Sequence, residues 1–533
     1  MKRSLSTTTM LFASVSAILG SGWLFSAYYT STLAGPAALL AWLLGGLAVI
    51  VVAFVFAELS SMLPITGSST RIPQFTHGTI VSFVFSWMIW LSYAALVATE
   101  VQAVIQYISF FFPNLTWPSG ALTLQGYATA SCLMLLISAI NIFSLRWLMK
   151  CNNLLTGLKI VIPIVLCLMI LVPAFKPSHV IHPAHSAFFA FGLHGVLSAI
   201  SSGGVVFAFN GFKQACELAG EAKKPSRALL IAIIGSVGLT LMIYLLLQVA
   251  FLNSLNAKNL VAGFQHLHLA HADSPFASIL SQNKLDYMQG VLYLGAIIGP
   301  LAAGLMYMSS ASRSLYGKSA NGYLPLFLQQ LNPQGNPING IVTSALVGMM
   351  LFAPLPGWNR MISFLTSLMA ISYAIAPVCL LTLRQQAPHQ LRPFKLKYPK
   401  FWANIAFIIC NLMTYFTGWQ IISKLSIGLI AGLIILFCYH RFSERGKNIY
   451  FDWKSSTWIW PYFTGISLIS YLGNFGEGLG ILHFGWDCVV VSLFSLAIMQ
   501  LAVHYRLDDS KTLSYIESLE LNRDTQHAQQ HAK

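Results

Sequence analysis

Long apolar stretches alternate with short polar segments through most of the chain, and this pattern predicts fourteen membrane-spanning helices. A helix needs about 20 mostly apolar residues to cross the hydrocarbon core of a bilayer. The predicted spans lie roughly at 8–33, 36–62, 78–112, 121–143, 153–175, 191–216, 228–252, 287–312, 339–356, 361–383, 401–421, 425–440, 457–473 and 484–504.

Two of these apolar stretches are interrupted by residues that disfavour a helix. The sixth carries Gly203–Gly204 and Asn210–Gly211, and the first carries Gly20–Gly22. In lipid every backbone N–H and C=O must find a partner, so a broken helix is tolerated only inside protein or beside a water-filled cavity. Breaks at matching positions of two five-span halves are typical of a transporter site. Close packing of a neighbouring helix on the small residues is the alternative.

The composition identifies an integral membrane protein. The chain has 533 residues, of which 56% are hydrophobic and only 8% are charged, whereas soluble domains carry about 25% charged residues. The eight cysteines show no metal or redox spacing, and no phosphate-binding loop, zinc-protease motif or nucleophile elbow is present. We therefore expect neither an enzyme nor a protein that holds a metal or a cofactor.

The basic residues predict the orientation in the membrane. If the N-terminus is cytoplasmic, 23 of the 30 Lys and Arg residues fall on the cytoplasmic side, five fall outside and two lie within spans. This asymmetry follows the positive-inside rule and places both termini in the cytoplasm. The formal net charge of +15 is then explained by anchoring at the lipid surface, so the expected partner is the bilayer and not a nucleic acid.

The chain divides by pattern into three parts. Residues 1–440 form the core of about twelve spans, 441–504 add two further spans, and 505–533 resemble a polar, soluble cytoplasmic tail. Met1–Arg3 leads directly into the first apolar stretch, which indicates a retained span and not a cleaved signal peptide.

Charged side chains within the spans are candidates for function, because burying them in a bilayer is costly. They are Glu58, Glu100, Lys159 and Lys213. For Glu58 a packing contact or an interfacial position is the favoured interpretation. For Glu100 the alternative is a structural hydrogen bond, and for both lysines it is a side chain that reaches the membrane surface.

Several motifs resemble those of the amino acid–polyamine–organocation (APC) superfamily of permeases. They are ILGSGWLF in the first span, GPAALLAWLLGG and FAELSSMLP around the second, FAFNGFKQACELAGEAKKPSR after the sixth break, and SRSLYGKSANGYLP with NPINGIVTSAL at the eighth and ninth spans. The resemblance covers roughly residues 10–400. Within the superfamily the chain is most similar to bacterial aspartate–proton symporter-like amino acid permeases.

This resemblance implies a leucine-transporter-like fold of two inverted five-span repeats, with helices 1 and 6 unwound around the substrate. It implies secondary active transport of amino acids across the bacterial inner membrane, by proton symport and with acidic substrates such as aspartate or glutamate. Amino acid exchange by the same fold and a non-transporting membrane sensor are the alternatives. Sodium as coupling ion, the oligomeric state and the identity of the amino acid stay open.

The resemblance also implies the residues of the substrate site. The N–H groups of the first break would bind the substrate carboxylate, carbonyls of the second break would bind its amino group, Phe207 or Phe209 would cover it, and the third span would line it. Lys213 is the basic residue nearest the second break and would meet a side-chain carboxylate. The predicted site comprises Gly20, Ser21, Gly22, Ser92, Tyr93, Phe207, Ala208, Phe209, Asn210 and Lys213.

Proton coupling is predicted at Lys159, with Glu100 as a second candidate. In proton-coupled relatives a lysine of the fifth helix takes the place of sodium beside the first break. Loss of hydration disfavours the charged form of a buried lysine, and carbonyls freed at Ile18 and Leu19 would favour it.

The inner gate is predicted at Glu217, Glu221 and Arg227, where carboxylates and basic groups would pair at partial burial. The chain departs from the family pattern at Trp23, where a smaller aliphatic residue is usual. It also departs at Gly67–Arg71, where the family has Gly-Gly-x-Tyr, and this second departure concerns the inner gate.

Overall fold

The fold is known from a computed structural model. It describes residues 5–65, 67–117, 120–143, 145–173, 175–183, 186–223, 225–270, 273–354, 357–447 and 449–518. Within these residues the secondary structure is helical, apart from two isolated β-bridges, Leu5 with Ala222 and Thr116 with Leu122.

Sixteen helices carry the architecture of the described residues. In chain order they are α1 Thr7–Ile18, α2 Gly22–Ala34, α3 Ala38–Met62, α4 Ser68–Ile108, α5 Leu124–Ile142, α6 Leu145–Leu171, α7 Gly192–Ser202, α8 Val205–Ala208, α9 Pro225–Ser254, α10 Gln289–Ala320, α11 Ile338–Met350, α12 Trp358–Gln386, α13 Pro399–Tyr415, α14 Trp419–Phe442, α15 Ile459–Leu472 and α16 Trp486–His504. Shorter helices are Pro177–Ile181, Gln214–Glu217, Pro275–Gln282, Glu444–Lys447 and Trp453–Ser456.

The predicted apolar segments all coincide with helices, which confirms an all-helical, multi-pass membrane protein. Among the described residues, nine helical stretches are long and apolar enough to cross a membrane, or ten if one bent pair is counted as a span. One of the nine, Gly22–Met62, contains both α2 and α3, which a turn at Gly35 separates. The exact number of fourteen crossings stays a prediction.

Both predicted helix breaks are confirmed. In the first, α1 ends at Ile18 and α2 begins at Gly22. In the second, α7 ends at Ser202 and α8 begins at Val205, and Gly204 between them adopts φ +91°, a left-handed conformation that glycine adopts without strain. A further bend follows at Phe209, where Gly192–Ala208, which contains α7 and α8, meets Asn210–Glu217 at an angle of 42°.

The broken helices lie inside the bundle. Helix α1 packs against α6, α9 and α10, and α2 packs against α7 and α9. The most buried long helices are α12 and α4, whose most apolar windows are 100% and 94% buried within the protein. These two helices supply the surroundings of the breaks.

Three boundaries differ from the prediction. Helix α4 begins at Ser68 and not near residue 78, and non-helical angles at Gly78 break it. Helix α6 begins at Leu145, and α10 continues to Ala320. The polar residues at the start of α4 and at the end of α10 are buried by neighbouring helices, so hydropathy alone misplaces these two ends.

The predicted polar cytoplasmic tail from residue 505 is folded against the protein in its described part. Residues 509–518 are helical, and the side chains of Leu507, Thr512 and Ile516 are 4%, 0% and 3% exposed. The spacing of these residues gives one short buried face, which the sequence pattern alone did not distinguish from a solvated turn. Residues 519–533 lie outside the described part.

Candidate functional site

The two helix breaks pack directly against each other, and glycine permits this approach. A Cβ atom at Gly22 would lie 3.2 Å from the Cα of Ala208, and one at Gly211 would collide with the backbone of Ala17 and Ile18. Any larger residue at these positions would push the breaks apart. The breaks therefore form one centre, as predicted.

Tyrosine hydroxyls satisfy carbonyl groups that the breaks leave free. The Tyr244 hydroxyl lies 2.8 Å from the Ile18 carbonyl and 3.0 Å from the Ala208 carbonyl, so it bridges the two breaks. The Tyr307 hydroxyl donates to the Ala17 carbonyl. The Ala208 carbonyl, predicted to bind a substrate amino group, already accepts one hydrogen bond from Tyr244, and its role toward a substrate stays a prediction.

Glu100 occupies the N-terminus of α2. Its side chain is 1% exposed, and its Oε2 accepts the backbone N–H of Ser21 over 2.7 Å. The carboxylate also fills the position that a Cβ of Gly20 would need. Since a helix N-terminus favours a negative group, Glu100 uses the N–H group predicted for the substrate carboxylate.

Lys159 occupies the C-terminal end of α1 and complements that arrangement. Its ammonium donates to the carbonyl and to the hydroxyl of Ser16, and the side chain is 3% exposed. A helix C-terminus favours a cation, and Lys159 also interacts electrostatically with Glu100. The ammonium does not reach the membrane surface, and its carbonyl partner is Ser16 instead of the predicted Ile18 and Leu19.

Trp358, at the start of α12, covers the first break, and sequence reasoning missed it. Its indole N–H donates to the Ser21 hydroxyl over 2.8 Å. Its ring stacks on Phe25 at 4.6 Å and meets the edge of Phe207 at 5.6 Å. The predicted tenth span began at residue 361, which left Trp358 just outside it.

The two phenylalanines proposed as a cover differ in position. Phe207 contacts Trp358, whereas Phe209 packs on Trp42 and Tyr244 at 5.9 and 5.4 Å. Phe207 is therefore the candidate that lies with the aromatic group over the break, and Phe209 is part of the packing behind it.

Asn210 and Lys213 follow the second break in the chain and contact α12. The Lys213 ammonium is 3.2 Å from the Ser372 hydroxyl and 4.5 Å from the centre of the Tyr373 ring. Tyr373 donates to the side-chain oxygen of Asn210 over 2.6 Å. The amide nitrogen of Asn210 is buried without a hydrogen-bond partner among the described residues. The Asn210 side chain therefore bonds α12 through its oxygen, while its predicted role through the backbone carbonyl stays a prediction.

Glu217 is the centre of a second cluster, which adjoins Lys213 through the Tyr93 ring, 5.4 Å from the Lys213 ammonium. It is 1% exposed and accepts from the hydroxyls of Tyr93, over 3.0 Å, and of Ser69. Its backbone carbonyl accepts from Gly67 over 3.1 Å, and the neighbouring Cys216 carbonyl accepts from Ser68 over 2.9 Å. The segment that departs from the family pattern thus contacts the predicted gate directly.

The third-helix residues predicted for the substrate site belong elsewhere. Tyr93 bonds Glu217 in the gate cluster. The Ser92 hydroxyl is satisfied within its own helix by the Ile89 carbonyl at 2.7 Å. These hydrogen bonds depend on how α4 is rotated in the bundle, which a motif match does not determine.

The other two residues of the predicted gate differ in their surroundings. Glu221 is 3% exposed, and its carboxylate lies 3.8 Å from Arg313 of α10. Its backbone carbonyl accepts from Leu5 over 3.0 Å, which ties the N-terminal segment to the gate. Arg227 is exposed and pairs with neither carboxylate within the described residues. The basic partner of Glu221 in this conformation is Arg313 and not Arg227, whose role in a gate stays a prediction.

Glu58 agrees with the packing interpretation. Its buried carboxylate lies 2.7 Å from Arg384 and 3.6 Å from Arg392, and it accepts the backbone N–H of Leu396 over 2.8 Å. These contacts fasten α3 to the segment after α12. The described residues contain no group of His, Cys, Asp and Glu side chains arranged to hold a metal ion.

Two discontinuous helices that meet in the protein interior, with a carboxylate and an ammonium at their ends, define a secondary transporter with broken helices. The family model described as amino acid permease matches residues 5–439. The chain belongs to this family of amino acid permeases, and amino acid transport across a membrane is its function.

Curated relatives match over nearly their full length. The chain is 30% identical to the glutamate/serine transporter AimA of Bacillus subtilis (strain 168), over 99% of this chain and 98% of the relative. It is also 30% identical to the aspartate-proton symporter of the same organism, over 93% and 95%. The methylthioribose transporter of that organism is 25% identical over 82% and 94%. These relatives are all transporters.

Proposed function

We propose that the protein carries small amino acids, acidic ones included, into the cell together with protons. The observation that carries the proposal is the bond from the Ser21 N–H to Glu100. The names of two relatives, a glutamate/serine transporter and an aspartate-proton symporter, support the substrate class and the coupling ion. The proposed location is the bacterial inner membrane, with both termini in the cytoplasm.

Glu100 is a resident carboxylate that competes with the substrate. Every α-amino acid carries a carboxylate, and the N-terminus of α2 is the site that favours one. Two negative groups at one helix end repel each other, so the substrate binds there only when Glu100 withdraws or takes up a proton. Protonation removes the attraction of Glu100 to the helix end and thereby makes room for the substrate.

Lys159 makes the replacement of Glu100 by the substrate depend on the proton concentration. Its charge balances Glu100 while Glu100 is ionised. When Glu100 becomes neutral, the substrate carboxylate restores the balance. Binding of a proton and binding of an amino acid are therefore coupled, since each stabilises the other in the same site.

The resident carboxylate also favours symport over obligatory exchange. A transporter that has released its substrate must pass through an occluded conformation to return to the outward-facing state. Glu100 can then satisfy the Ser21 N–H and the end of α2 in place of the substrate. A site satisfied in this way does not need a second amino acid for the return step.

We further propose that Lys213, supported by the free amide of Asn210, binds the side-chain carboxylate of acidic substrates. A hydrogen bond to a charged group contributes about 1.5–3 kcal/mol, which corresponds to roughly ten- to hundredfold selectivity. Lys213→Met should lower the preference for aspartate over serine by that factor, with Ser372→Ala as a control that keeps the ammonium. An unchanged preference would show that Lys213 lies outside the substrate contacts.

The test of the proposed function uses the purified protein in liposomes. Uptake of labelled aspartate, glutamate and serine is measured with and without an inward proton gradient, with sodium, and with unlabelled amino acid inside. We expect accumulation that needs the proton gradient alone. Uptake that requires sodium at every pH, or that appears only with amino acid inside the vesicles, would contradict the proposal.

A further inference from the structure

Helix α4 contains a hinge that neither the motifs nor the substrate site explain. At Gly78 the backbone has φ 76° and ψ −160°, which separates a first part, Ser68–His77, from the long part that follows. We call Ser68–His77 the gate helix, because its first turn bonds Cys216 and Glu217. A Cβ at Gly78 would collide with the carboxylate of Asp452.

The C-terminal part of the chain satisfies the backbone groups at this hinge. The Phe75 carbonyl accepts from the Thr512 hydroxyl over 2.7 Å, and the Thr76 carbonyl accepts from the Leu507 N–H over 2.8 Å. The Thr79 N–H, which would donate to Phe75 in a continuous helix, donates to Asp452 over 3.3 Å.

Further contacts join the same two regions. The Nε2 of His77 lies 3.0 Å from the Ala502 carbonyl at the end of α16. Gln386 donates to the Leu507 carbonyl over 2.8 Å and to the Thr76 carbonyl over 3.4 Å, so it joins both partners to α12. Lys511 lies 3.7 Å from the Asp452 carboxylate.

The gate helix therefore has an attachment at each end, in addition to its contacts with α12. At its start it bonds the segment that follows the second break, and at its end it bonds residues 449–518, which we call the C-terminal clamp. A short helix held at both ends moves only when one attachment yields. The clamp bonds backbone carbonyls of the gate helix through a hydroxyl and an N–H. Such hydrogen bonds weaken steeply when the distance or angle changes, so they fix the position of the gate helix.

We infer that the C-terminal clamp positions the gate helix and sets how readily the gate at Glu217 opens. Thr512, Leu507 and Asp452 are then positioning residues for transport that act through the gate helix and do not contact the substrate. The two helices after residue 441 and the ordered start of the tail thereby acquire a role. The inference rests on the proposed function, because the cluster at Glu217 acts as a gate only if a substrate passes it.

Two native cysteines report on the gate helix. Cys216 is fully buried beside Ser68, and the sulfur of Cys379 lies 3.3 Å from the Thr76 hydroxyl. Cys167, buried in α6, reports on general loosening, while Cys132 and Cys438 are exposed and calibrate the reagent. N-Ethylmaleimide modification of the purified protein, followed peptide by peptide with mass spectrometry, gives a rate for each cysteine.

Thr512→Val removes the donor to Phe75 and changes little else, and Ser514→Ala on the exposed side of the same helix is the matched control. We expect Thr512→Val to raise the modification rates of Cys216 and Cys379 about fivefold, the change expected from the loss of one ordinary hydrogen bond. Cys167 should be unchanged, and transport should change in maximal rate and not in KM.

Rates equal to those of Ser514→Ala would overturn the inference, and so would a parallel rise at Cys167. If Thr512→Val does not fold, Lys511→Met is judged by the same criteria, since Lys511 is half-exposed and its loss leaves Asp452 without its cation. The modification rates need no amino acid, so a failure of the proposed function in liposomes remains distinguishable from a failure of this inference.

Discussion

The first helix break and the hinge in α4 share one local design but differ in their partners. In each, a carboxylate fills the space that a glycine leaves and accepts the N–H of the next residue: Glu100 at Gly20 and Ser21, and Asp452 at Gly78 and Thr79. At the first break the carbonyl end holds a lysine, Lys159.

At the hinge the carbonyls are held by a hydroxyl and a backbone N–H from the end of the chain. Two partners of the first break, Glu100 and Lys159, are ionisable and buried in the bundle, whereas the tyrosine hydroxyls that bond its other carbonyls are neutral. The partners of the hinge carbonyls are the hydroxyl of Thr512 and the backbone N–H of Leu507, which do not ionise. On the proposed function, the same broken backbone serves as a binding site in one place and as a hinge in the other.

Valine at the site glycine should have the largest effect. Gly20→Val forces the Glu100 carboxylate away from Ser21, and displacement of groups in a site by about 1 Å costs on the order of 100-fold in rate. We expect uptake to fall at least that far with normal expression, and Gly22→Val to behave alike because of Ala208. Gly78→Ala, in contrast, should change the rate and leave KM within about twofold. Normal transport by Gly20→Val would place the substrate elsewhere.

Removal of the lysine at the first break should separate coupling from binding. Lys159→Ala leaves Glu100 without its nearby cation, so accumulation driven by a proton gradient should disappear while exchange survives. Liposome uptake and counterflow measure the two quantities, and Lys176→Ala, an exposed lysine beyond the end of the same helix, is the control. If gradient-driven accumulation persists in Lys159→Ala, the lysine only anchors its helix.

Neutralising the gate should affect rate more than affinity. Glu221→Gln leaves Arg313 without its buried carboxylate, which shifts the balance between gate conformations. We expect about a tenfold change in the maximal rate, which corresponds to a change of about 1.4 kcal/mol in the barrier, with KM nearly constant. Glu444→Gln, a fully exposed carboxylate, is the control. A large change in KM at constant maximal rate would move Glu221 into the substrate site.

The smallest expected effect is that of Asp452→Asn at the hinge. It should lower the modification rates of Cys216 and Cys379, whereas Thr512→Val should raise them. Burial raises the pKa of the Asp452 carboxyl, although the Thr79 N–H and Lys511 oppose this; Tyr515 and Tyr323 also face it. An acid with a raised pKa in the docked state favours docking as the pH falls through that pKa, and at neutral pH its charge weakens docking.

Asp452→Asn removes that charge and keeps an acceptor for Thr79. We therefore expect Cys216 and Cys379 to react slightly more slowly than in the unmodified protein at neutral pH, with a weaker dependence on pH. N-Ethylmaleimide modification measures both quantities. Faster reaction than in the unmodified protein would show that the ion pair with Lys511 outweighs burial.

The sequence was sufficient to predict the breaks but not their occupants. Gly20–Gly22 and Gly203–Gly204 interrupt apolar stretches, and few other arrangements explain such interruptions. The approach of Glu100 to Ser21 depends on how α4 is rotated against α2, which no local pattern records. Tyr93 shows the same limit, since a match by motif placed it in the substrate site and the packing of α4 places it at Glu217.

The hinge and the clamp could not be predicted from the sequence, for a different reason. A single glycine at 78 and a proline at 73 resemble an ordinary start of a span. The contacts that identify the hinge join residues more than 370 positions apart, from Thr79 to Asp452 and from Phe75 to Thr512. The polar residues of the tail indicate solvent until their partners on the gate helix are known.

The central claim is that substrate and proton enter together because the substrate replaces an ionised Glu100. Proton uptake on binding tests this directly: aspartate is added to the purified protein in weakly buffered solution with a pH indicator, and protons taken up are counted per bound substrate. We predict about one proton per substrate for the unmodified protein and none for Glu100→Gln, as linkage between the two ligands requires. The same proton uptake in Glu100→Gln, or none in the unmodified protein, would contradict the account.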